Sequence, residues 1–459
     1  MRKRVISFLL AFTVLLVFQA VPVYAAADDN SPQTVCTADI LIDADSGQVL
    51  YEKNQDRLLQ PASLTKMMTC LLAIEHYKGD LDQKITVPKQ AVGIGGNSLD
   101  LKEGEVFTVR QLLYGMMLHS CNDVAVCFAV NISGSVSAFS QEMNARAREV
   151  GAVHTNFINP NGLTESSSHI TTARDIALIA QECMRNATFR KIVKTAKYTI
   201  PATNMSKERK VKSTDQLLVG TKFSVTVNGT KRYAKYKYAT GVKTGLMPTA
   251  GYCFCGAATK GDMDLIAVAM KGSADQDRFA DVISMFDYGF DNYHTVQLLA
   301  KGDSAGHVWI KNGHYTRVAA VAENGAYVTL TSNEADDLAT SRVVLKKGLK
   351  APLKAGTVVG TVKLYEDGAK VGSADLVLAK TVTEGGPWSA VYISDPAFVG
   401  GLIILITVLI LITVIGHHRR RRKKQREERR RREKEKRAME IARERAAQQK
   451  RNNNRDWPF

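Results

Sequence analysis

The longest apolar runs of the chain lie near its two ends. Residues 5–20 are almost entirely apolar, follow Arg2, Lys3 and Arg4, and lead into small residues that end at Ala27. A basic start, an apolar run and a small-residue cleavage site are typical of a secretory signal peptide. We therefore predict that residues 1–27 form a signal peptide cleaved after Ala25 or Ala27, with an uncleaved N-terminal helix as the alternative.

The second run, residues 397–415, contains nineteen residues without a charge. As a helix it would be about 28 Å long, close to the ~30 Å of a bilayer core. Six consecutive basic residues, 419–424, follow almost at once, and such clusters stay in the cytoplasm. The pattern predicts a single-pass cell-membrane protein, with residues 28–395 outside and residues 416–459 as a cytoplasmic tail. A buried core helix is the alternative for residues 397–415.

Helix-like and strand-like patterns are intermixed between residues 28 and 290. Residues 40–42 and 49–51 flank Asp45-Ser46-Gly47 and predict a β-hairpin. Pro61 opens a run through His76 that is apolar nearly all round, which predicts a helix buried on every side. Further patterns predict helices over residues 112–117, 123–130 and 173–184, and two strands over residues 249–259 and 264–270. The mixture predicts an α/β (α+β) domain in which helices back a sheet.

The sequence pattern of residues 291–390 differs from that of the preceding domain. Short β-branched runs are separated by Gly, Asn and Asp turns, and they cover residues 317–321, 326–332, 341–345, 357–364 and 373–379. Short strands at this spacing predict a small all-β sandwich. Gly385-Gly386-Pro387 is expected to begin a short linker to the membrane.

The charge distribution argues against nucleic-acid binding by the body of the protein. The formal net charge is +17, but residues 417–459 alone hold 19 Lys and Arg against 7 Asp and Glu. Outside this tail and the basic N-terminus the chain is nearly neutral, so no nucleic-acid partner is expected. The tail is expected to be a polar helix that contacts anionic lipid heads; a protein or nucleic-acid contact of the tail is the alternative. At 45% hydrophobic and 23% charged residues, the composition excludes disordered and polytopic membrane chains.

The cysteines and histidines do not form a metal-binding pattern. The seven cysteines are Cys36, Cys70, Cys121, Cys127, Cys183, Cys253 and Cys255. An odd number in an exported chain leaves at least one thiol unpaired, and we interpret most of them as small buried apolar residues. Because no HExxH motif or spaced Cys/His set is present, a zinc peptidase is disfavoured and no metal or cofactor is expected.

Three short motifs carry the candidate chemistry. Ser63-Leu64-Thr65-Lys66 begins the predicted buried helix, Ser120-Cys121-Asn122 falls between two predicted helices, and Lys243-Thr244-Gly245 lies on a predicted strand. A serine hydroxyl needs an adjacent base to act as a nucleophile, and helix positions i and i+3 share a face. Lys66 can therefore serve Ser63 if burial or a neighbouring cation lowers its pKa. Lys243 is the candidate cation, and Gly245 lets an extended peptide approach the strand edge.

In their order and positions the motifs resemble those of the penicilloyl serine transferases, whose fold is shared by β-lactamases and transpeptidases. The resemblance is strongest to the low-molecular-mass penicillin-binding proteins that act as D-alanyl-D-alanine carboxypeptidases. It covers residues of about 36–385 and extends to Asn159-Pro160-Asn161-Gly162-Leu163, Thr172-Ala173-Arg174-Asp175 and Gly251-Tyr252. The family implies removal of the terminal D-Ala from peptidoglycan stem pentapeptides and covalent inhibition by β-lactam antibiotics.

The resemblance also implies a role for each site residue. Ser63 would be the acylated nucleophile and Lys66 its general base, while Ser120 would relay a proton and Asn122 would hold the substrate amide. Lys243 would supply positive charge, Thr244 would bind the terminal carboxylate, and Gly245 would leave room for the peptide. Backbone N–H groups of Ser63 and Leu246 would form the oxyanion hole, and Arg278 would help to neutralise the carboxylate. Leu246 stands where many relatives have a polar or aromatic residue, and a transmembrane span replaces the membrane-surface helix of many relatives.

Alternatives remain for single residues and for the reaction. Ser120 and Asn122 could cap the following helix, Lys243 could be an exposed edge-strand lysine, and Arg278 a surface ion-pair partner. Residues 159–163 are interpreted as a structural turn rather than a catalytic element. A D,D-endopeptidase or a β-lactamase could use the same fold, although Glu182-Cys183-Met184-Arg185-Asn186 is a poor match to a lactamase E-x-x-L-N motif. An inactive, membrane-anchored wall scaffold is the non-enzymatic alternative.

Overall fold

The computed structural model describes residues 31–453, so the predicted signal peptide lies outside the described residues. The chain divides into two compact units. The first covers the chain to Leu298 together with Ala326–Ser341 and Leu364–Gly372. The second covers Leu299–Gly325, Arg342–Lys363 and the chain from Ser373 onward. The domain boundary expected between residues 290 and 291 stays a prediction.

Helices occupy much of the first unit and all of the C-terminal tail that is described. The α-helices are α1 (Lys66–His76), α2 (Val109–Leu118), α3 (Asn122–Ser133), α4 (Val136–Glu149), α5 (Ala173–Arg185), α6 (Ala187–Val193), α7 (Gln216–Val219), α8 (Asp275–Asn292) and α9 (Asp395–Asn453). Short 3₁₀ helices cover Ala62–Thr65, Lys89–Ala91, Asp336–Leu338 and Pro387–Val391.

The strands form one central sheet in the first unit, a larger sheet toward the C-terminus, and several hairpins. They are β1 (Ala38–Asp43), β2 (Val49–Lys53), β3 (Lys84–Thr86), β4 (Val106–Thr108), β5 (Lys197–Ile200), β6 (Arg209–Lys212), β7 (Ser224–Val227), β8 (Thr230–Tyr233), β9 (Ala239–Met247), β10 (Gly251–Lys260), β11 (Met263–Gly272), β12 (Tyr293–Leu299), β13 (Ser304–Lys311), β14 (Arg317–Ala322), β15 (Ala326–Thr331), β16 (Ala339–Leu345), β17 (Leu349–Lys350), β18 (Val358–Glu366) and β19 (Ala369–Leu378).

The central sheet separates two hydrophobic cores. Its strand order is β2-β1-β11-β10-β9, and its pairs are antiparallel. Along β11, alternate residues such as Ile266 and Val268 join the core that contains α1 to α6, whereas Leu265 and Ala267 join the core that contains α8. Because side chains alternate across a strand, an almost continuously apolar strand such as β11 supplies both cores. The arrangement leaves β9 at an edge of the sheet.

Most elements predicted for the first unit are confirmed. Strands β1 and β2 form the expected hairpin, and α2, α3 and α5 cover the expected helical stripes. The helix expected from Pro61 begins instead with the 3₁₀ turn Ala62–Thr65, and α1 starts at Lys66. Helix α1 is buried on nearly every side, as its sequence predicts. All seven cysteines are free and buried, in agreement with their interpretation as small core residues.

The β-rich C-terminal module is also confirmed. Each of the five predicted runs lies on a strand, β14, β15, β16, β18 or β19. A six-stranded sheet has the order β16-β18-β19-β14-β13-β17, and β12 pairs with β15 in a separate two-stranded sheet. The short segment that begins with Gly385-Gly386-Pro387 joins the β-module to α9, and hydrogen bonds order it. Gly385 N–H donates to Asn312 O at 2.9 Å, Gly386 N–H donates to Asp395 Oδ1 at 2.9 Å, and Pro387 starts a 3₁₀ helix.

Helix α9 contains the apolar run of residues 397–415 and continues through the basic tail. It is long and apolar enough to cross a membrane, and its most apolar stretch is not buried against any of the described residues. A buried core helix therefore does not account for this segment, and α9 is a candidate membrane anchor.

A buried ion pair joins the hairpin β3–β4 to the hairpin β5–β6. The Glu105 carboxylate is fully buried and accepts hydrogen bonds from Arg209 Nη1 and Nη2, each at 3.0 Å. Although burial raises the pKa of Glu105, the hydrogen bonds from Arg209 and Thr203 outweigh that effect and bring the pKa below its usual value. This carboxylate therefore links the two strand pairs to each other.

We predict that Arg209→Met destabilises the protein by about 3–5 kcal/mol, because Glu105 is left buried and charged without its cationic partner. The measurement is denaturant unfolding of the full chain in detergent. Lys210→Met is the matched control: Lys210 lies next in the same strand, and its 3.4 Å ion pair with Glu208 is exposed, so its loss should stay below about 0.5 kcal/mol. Equal losses in the two variants would contradict this account.

Candidate active site

The predicted nucleophile and base lie on a tight turn at the start of α1. Ser63 is half-buried in the 3₁₀ helix Ala62–Thr65, and Lys66 is the first residue of α1. Residues i and i+3 nearly eclipse one another in a 3₁₀ helix, so Lys66 extends directly past Ser63. Its Nζ lies 2.8 Å from Ser63 Oγ. Ala62, just before the serine, has a φ of 47°, an uncommon conformation for a residue other than glycine.

Lys66 is completely buried, and oxygen atoms surround its amine. In addition to Ser63 Oγ, Nζ lies 2.7 Å from Asn122 Oδ1 and 2.7 Å from the carbonyl oxygen of Asn161. The amide and carbonyl oxygens can only accept hydrogen bonds. A neutral amine satisfies both with its two N–H groups and keeps its lone pair for the proton of Ser63. This geometry is the one a general base requires.

The electrostatics of the site favour that neutral form. Burial lowers the pKa of Lys66 well below its usual value, and the nearby charge of Lys243 lowers it further. Burial also lowers the pKa of Lys243 to about 7, assisted by the charge of Arg278. Arg278 and the protonated form of Lys243 thus lie close to the neutral amine of Lys66, and their positive charge favours binding of an anion.

Ser120 lies in the turn between α2 and α3, and Asn122 is the first residue of α3. Ser120 has a φ of 62° and is mostly buried. Helix α3 has Cys121 at its N-cap position without a side-chain cap, so neither residue serves as the cap that was the alternative. Asn122 uses Oδ1 for Lys66 and donates from Nδ2 to Gly95 O at 2.8 Å. In this structure Asn122 therefore orients Lys66.

The Asp123 carboxylate holds the turn in place. It accepts hydrogen bonds from Ser98 Oγ at 2.7 Å and from the N–H groups of Leu99 and Leu101 at 3.0 and 3.2 Å. These bonds fix residues 98–101 against the start of α3. Asp123 carries no motif of its own, but its position directly after Asn122 is the signal that could have found it.

Lys243, Thr244 and Gly245 follow one another on the edge strand β9. Lys243 is 1% exposed, which excludes the alternative of an exposed edge lysine, and its Nζ donates to Thr244 O at 2.8 Å. Thr244 Oγ1 lies 2.6 Å from Thr214 Oγ1. A Cβ added to Gly245 would lie 3.1 Å from Pro61 O and 3.3 Å from Ser63 N. Glycine here leaves open the space beside the nucleophile's N–H group.

The two remaining predicted residues differ in surroundings. Leu246 is 53% exposed on β9 and pairs with Tyr252 of β10. Arg278 is buried on α8, donates from Nη1 to Gly245 O at 2.7 Å and to Cys253 O at 3.0 Å, and pairs with Asp275. Arg278 is therefore not a surface residue. It fixes the end of β9 that carries the glycine.

Residues 159–163 form the expected turn and also contact the base. Asn159 Oδ1 accepts the N–H groups of Asn161 and Gly162 at 3.2 and 2.7 Å, and the Asn161 carbonyl contacts Lys66. Gly162 has a φ of +77°, and a Cβ there would lie 1.8 Å from Ala62 O. Sequence reasoning missed this contact because it is made by a backbone atom.

His169 stabilises the turn that carries Ser63. Its Nδ1 accepts the N–H of Ile158 at 3.1 Å, which leaves Nε2–H to donate to Thr65 Oγ1 at 2.8 Å. Thr65 Oγ1 in turn donates to Ala62 O at 2.7 Å. Burial lowers the pKa of His169 to about 4, so the ring is neutral at neutral pH. The sequence gives no motif for this residue.

A cluster with metal-ligand chemistry lies apart from these residues. Among the described residues, Cys36, Asp39 and Asp281 bring their donor atoms within 4.8 Å of one another. Asp281 accepts the N–H groups of Val35 and Cys36, and Asp39 lies 3.7 Å from Lys53 Nζ. Burial raises the pKa of Asp39 to about 7, and the charge of Asp281 adds to that rise. These contacts fix the segment before β1 to α8, and we assign no metal to them.

Comparisons with known proteins identify both parts of the chain. A family model described as D-alanyl-D-alanine carboxypeptidase, peptidase family S11, matches residues 25–274, and one described as penicillin-binding protein 5, C-terminal domain, matches residues 293–384. The chain is 31% identical to the D-alanyl-D-alanine carboxypeptidase DacF of Bacillus subtilis, over 84% of this chain and 96% of that one. It is 31% identical to DacA of Escherichia coli K12, over 77% of this chain and 85% of that one. The crystal structure of penicillin-binding protein 5 from Haemophilus influenzae is similar with a TM-score of 0.58 at 28% identity, over 77% of this chain and 99% of that one.

We predict that Gly162→Ala disturbs the nucleophile turn, because the new Cβ would collide with the backbone that carries Ser63. Labelling of Ser63 by a fluorophosphonate reagent should fall at least about tenfold, since a small misplacement of reacting groups has large effects on rate. Gly79→Ala is the matched control: its φ is +75° but no atom lies within 4 Å of the added Cβ. It should show only the backbone cost of about 1–2 kcal/mol in unfolding and normal labelling. Equal labelling of both variants would contradict the prediction.

Proposed function

This chain belongs to the D-alanyl-D-alanine carboxypeptidase family of serine peptidases, and from that premise we propose that Ser63 is the residue acylated during its reaction. The protein is a serine-type D-alanyl-D-alanine carboxypeptidase, with peptidoglycan peptides as substrates and β-lactams as ligands. The observation that carries the assignment of Ser63 is the 2.8 Å contact between its Oγ and a buried lysine amine with a lowered pKa.

In the proposed acylation, neutral Lys66 takes the proton of Ser63 as Oγ attacks the carbonyl carbon of the penultimate D-Ala. The N–H groups of Ser63 and Leu246 hold the oxyanion that forms. Collapse of this intermediate breaks the C–N bond, and the proton on Lys66 passes, through Ser120, to the departing amine of the terminal D-Ala. Water then attacks the ester at Ser63, and its proton restores the serine hydroxyl while the shortened peptide leaves as a carboxylate.

The terminal carboxylate of the peptide is assigned to Lys243 and Thr244. Lys243 is buried, and Thr244, next to it on β9, presents a hydroxyl that Thr214 orders. Arg278 acts indirectly, because its guanidinium is bound to the Gly245 and Cys253 carbonyls. Its charge adds to the positive potential and its hydrogen bonds position β9. We keep Asn122 as a contact for the substrate amide, since its Nδ2 has a second hydrogen beyond the one given to Gly95.

We further propose that residues 28–395 lie outside the cell membrane and that the basic tail of α9 lies in the cytoplasm. The cluster of six basic residues directly after the apolar run supports this orientation. The tail would contact anionic lipid heads on the cytoplasmic face, and no nucleic-acid partner is proposed.

A β-lactamase reaction is not favoured. The nearest match to the lactamase glutamate, Glu182, is held by Arg146 and by Arg185, the latter at 3.0 Å. A carboxylate committed to two guanidinium groups is not free to activate water. Neither the D,D-endopeptidase alternative nor an inactive scaffold is supported by any specific feature of the site.

We predict that a labelled penicillin acylates the full-length protein at Ser63 and that the adduct decays slowly. Ser63→Ala should give no adduct, and Lys66→Arg should slow labelling at least about a hundredfold, because a guanidinium cannot act as the base. Ser137→Ala, an exposed serine on α4, is the control and should label normally. Peptide mapping of the adduct to any other residue, or rapid penicillin turnover, would refute the assignment.

Release of D-Ala from a pentapeptide, without cleavage of cross-linked dimers, separates the carboxypeptidase from an endopeptidase.

The pKa of Lys243 near 7 predicts an alkaline limb in the activity profile. Lys243 is protonated below that pH and binds the carboxylate, so kcat/KM should fall as pH rises above about 7. Lys243→Arg keeps its charge at all accessible pH values, so the limb should move to higher pH even if the overall rate is lower. A limb unchanged in Lys243→Arg would show that another group titrates. The profile is measured with a soluble D-Ala-D-Ala peptide.

A further inference from the structure

A group of exposed apolar side chains directly precedes the candidate membrane span. Trp309 of β13 is 53% exposed, and Val391, Tyr392 and Ile393 are 69%, 41% and 43% exposed. Tyr392 contacts Trp309 edge-on, with ring centroids 5.9 Å apart. Large apolar side chains exposed together mark an interaction surface, and Trp and Tyr are enriched where a protein meets the membrane interface.

This surface is rigidly connected to the start of α9. Asp395, the first residue of α9, accepts hydrogen bonds from Gly386 N–H at 2.9 Å, Trp388 Nε1 at 2.7 Å and His314 Nδ1 at 2.7 Å. The Trp388 ring stacks on Phe398 of the span at a centroid distance of 3.9 Å. The sheet of the second unit and the beginning of the span are therefore held in one arrangement, which keeps the exposed group at the level where the apolar run begins.

Beside this group lies a cavity of about 550 Å³ within the second unit. His307, Trp309, Lys346, Lys347 and Tyr392 line it, and none of its lining residues is acidic. Lys346 Nζ donates to Val358 O at 2.8 Å, which leaves two of its hydrogens for another acceptor. The cavity therefore combines two lysines with an aromatic wall.

We propose that this cavity binds the phosphate headgroup of an anionic phospholipid in the outer leaflet, with Lys346 and Lys347 contacting the phosphate. The inference rests on the orientation proposed above, which places the β-strands of the second unit, and with them the cavity, on the outer face. An aromatic wall alone would also suit a sugar ring. The two lysines and the fixed position beside the first turn of the span favour an anionic lipid.

The test is native mass spectrometry of the full-length chain in detergent, titrated with phosphatidylglycerol or with phosphatidylcholine. Lys346→Gln/Lys347→Gln should lose one phosphatidylglycerol site, with affinity about thirtyfold weaker if each lysine contributes as a typical surface charge does. Lys301→Gln/Lys354→Gln removes the same charge from exposed positions of the same unit that do not line the cavity, and it should bind as the wild type does. The basic tail is identical in all three proteins, so any lipid that it binds contributes equally to each measurement and does not affect the comparison.

Equal phosphatidylglycerol binding by the two double variants would overturn the proposal, as would equal affinity of the wild type for phosphatidylcholine. Tighter binding of a soluble peptidoglycan oligosaccharide at the same residues would assign the cavity to the glycan instead and would also overturn it. Ser63→Ala should retain the lipid site, and Lys346→Gln/Lys347→Gln should retain carboxypeptidase activity on a soluble peptide. Failure of the catalytic assignment and failure of the lipid site are therefore separately visible. Thermal unfolding checks that each variant is folded.

Discussion

The active site depends on an amine that is buried without a carboxylate partner. Lys66 is surrounded by a hydroxyl, an amide oxygen and a backbone carbonyl, none of which carries a charge. A charged ammonium would be costly in such a position, whereas a neutral amine meets all three with its two N–H groups and its lone pair. Lys243 reinforces the same preference from a second element. In the proposed mechanism, Lys66 acts as a base because it is buried away from water and because no carboxylate of the described residues forms an ion pair with it.

This arrangement requires three separated segments to converge on one atom. The 3₁₀ turn brings Ser63, the start of α3 brings Asn122, and the turn at residues 159–163 brings the Asn161 carbonyl. Two of these segments hold a residue other than glycine in the left-handed region, Ala62 at φ 47° and Ser120 at φ 62°. Such conformations persist only where surrounding contacts fix them. Here Asp123 and the His169–Thr65–Ala62 chain of hydrogen bonds provide those contacts.

Side-chain motifs were predictable from the sequence, and backbone partners were not. The spacing of Ser63 and Lys66 predicts their contact, because three residues along a helix return to the same face. The Asn161 carbonyl could not be predicted in this way, since every residue has a carbonyl and only the tertiary fold selects one. Arg278 was assigned to the site from the resemblance, yet its bonds to two strand carbonyls appear only once α8 is packed on the sheet. Among the strands, β12 was missed because it follows α8 directly, with no turn residues between Asn292 and Tyr293.

At the junction between the β-module and α9, two glycines allow close packing of the chain. From the sequence, Gly385-Gly386-Pro387 predicts a short linker before the apolar run, without saying how that linker packs. In the fold, a Cβ on Gly385 would lie 2.7 Å from Gly313 O, and one on Gly386 would lie 2.4 Å from the Trp388 ring. These glycines permit close packing rather than movement, and Asp395 then binds three donors across the junction. Because these contacts fix the start of α9 to the β-rich part of the second unit, the proposed lipid site keeps a defined position relative to the candidate span.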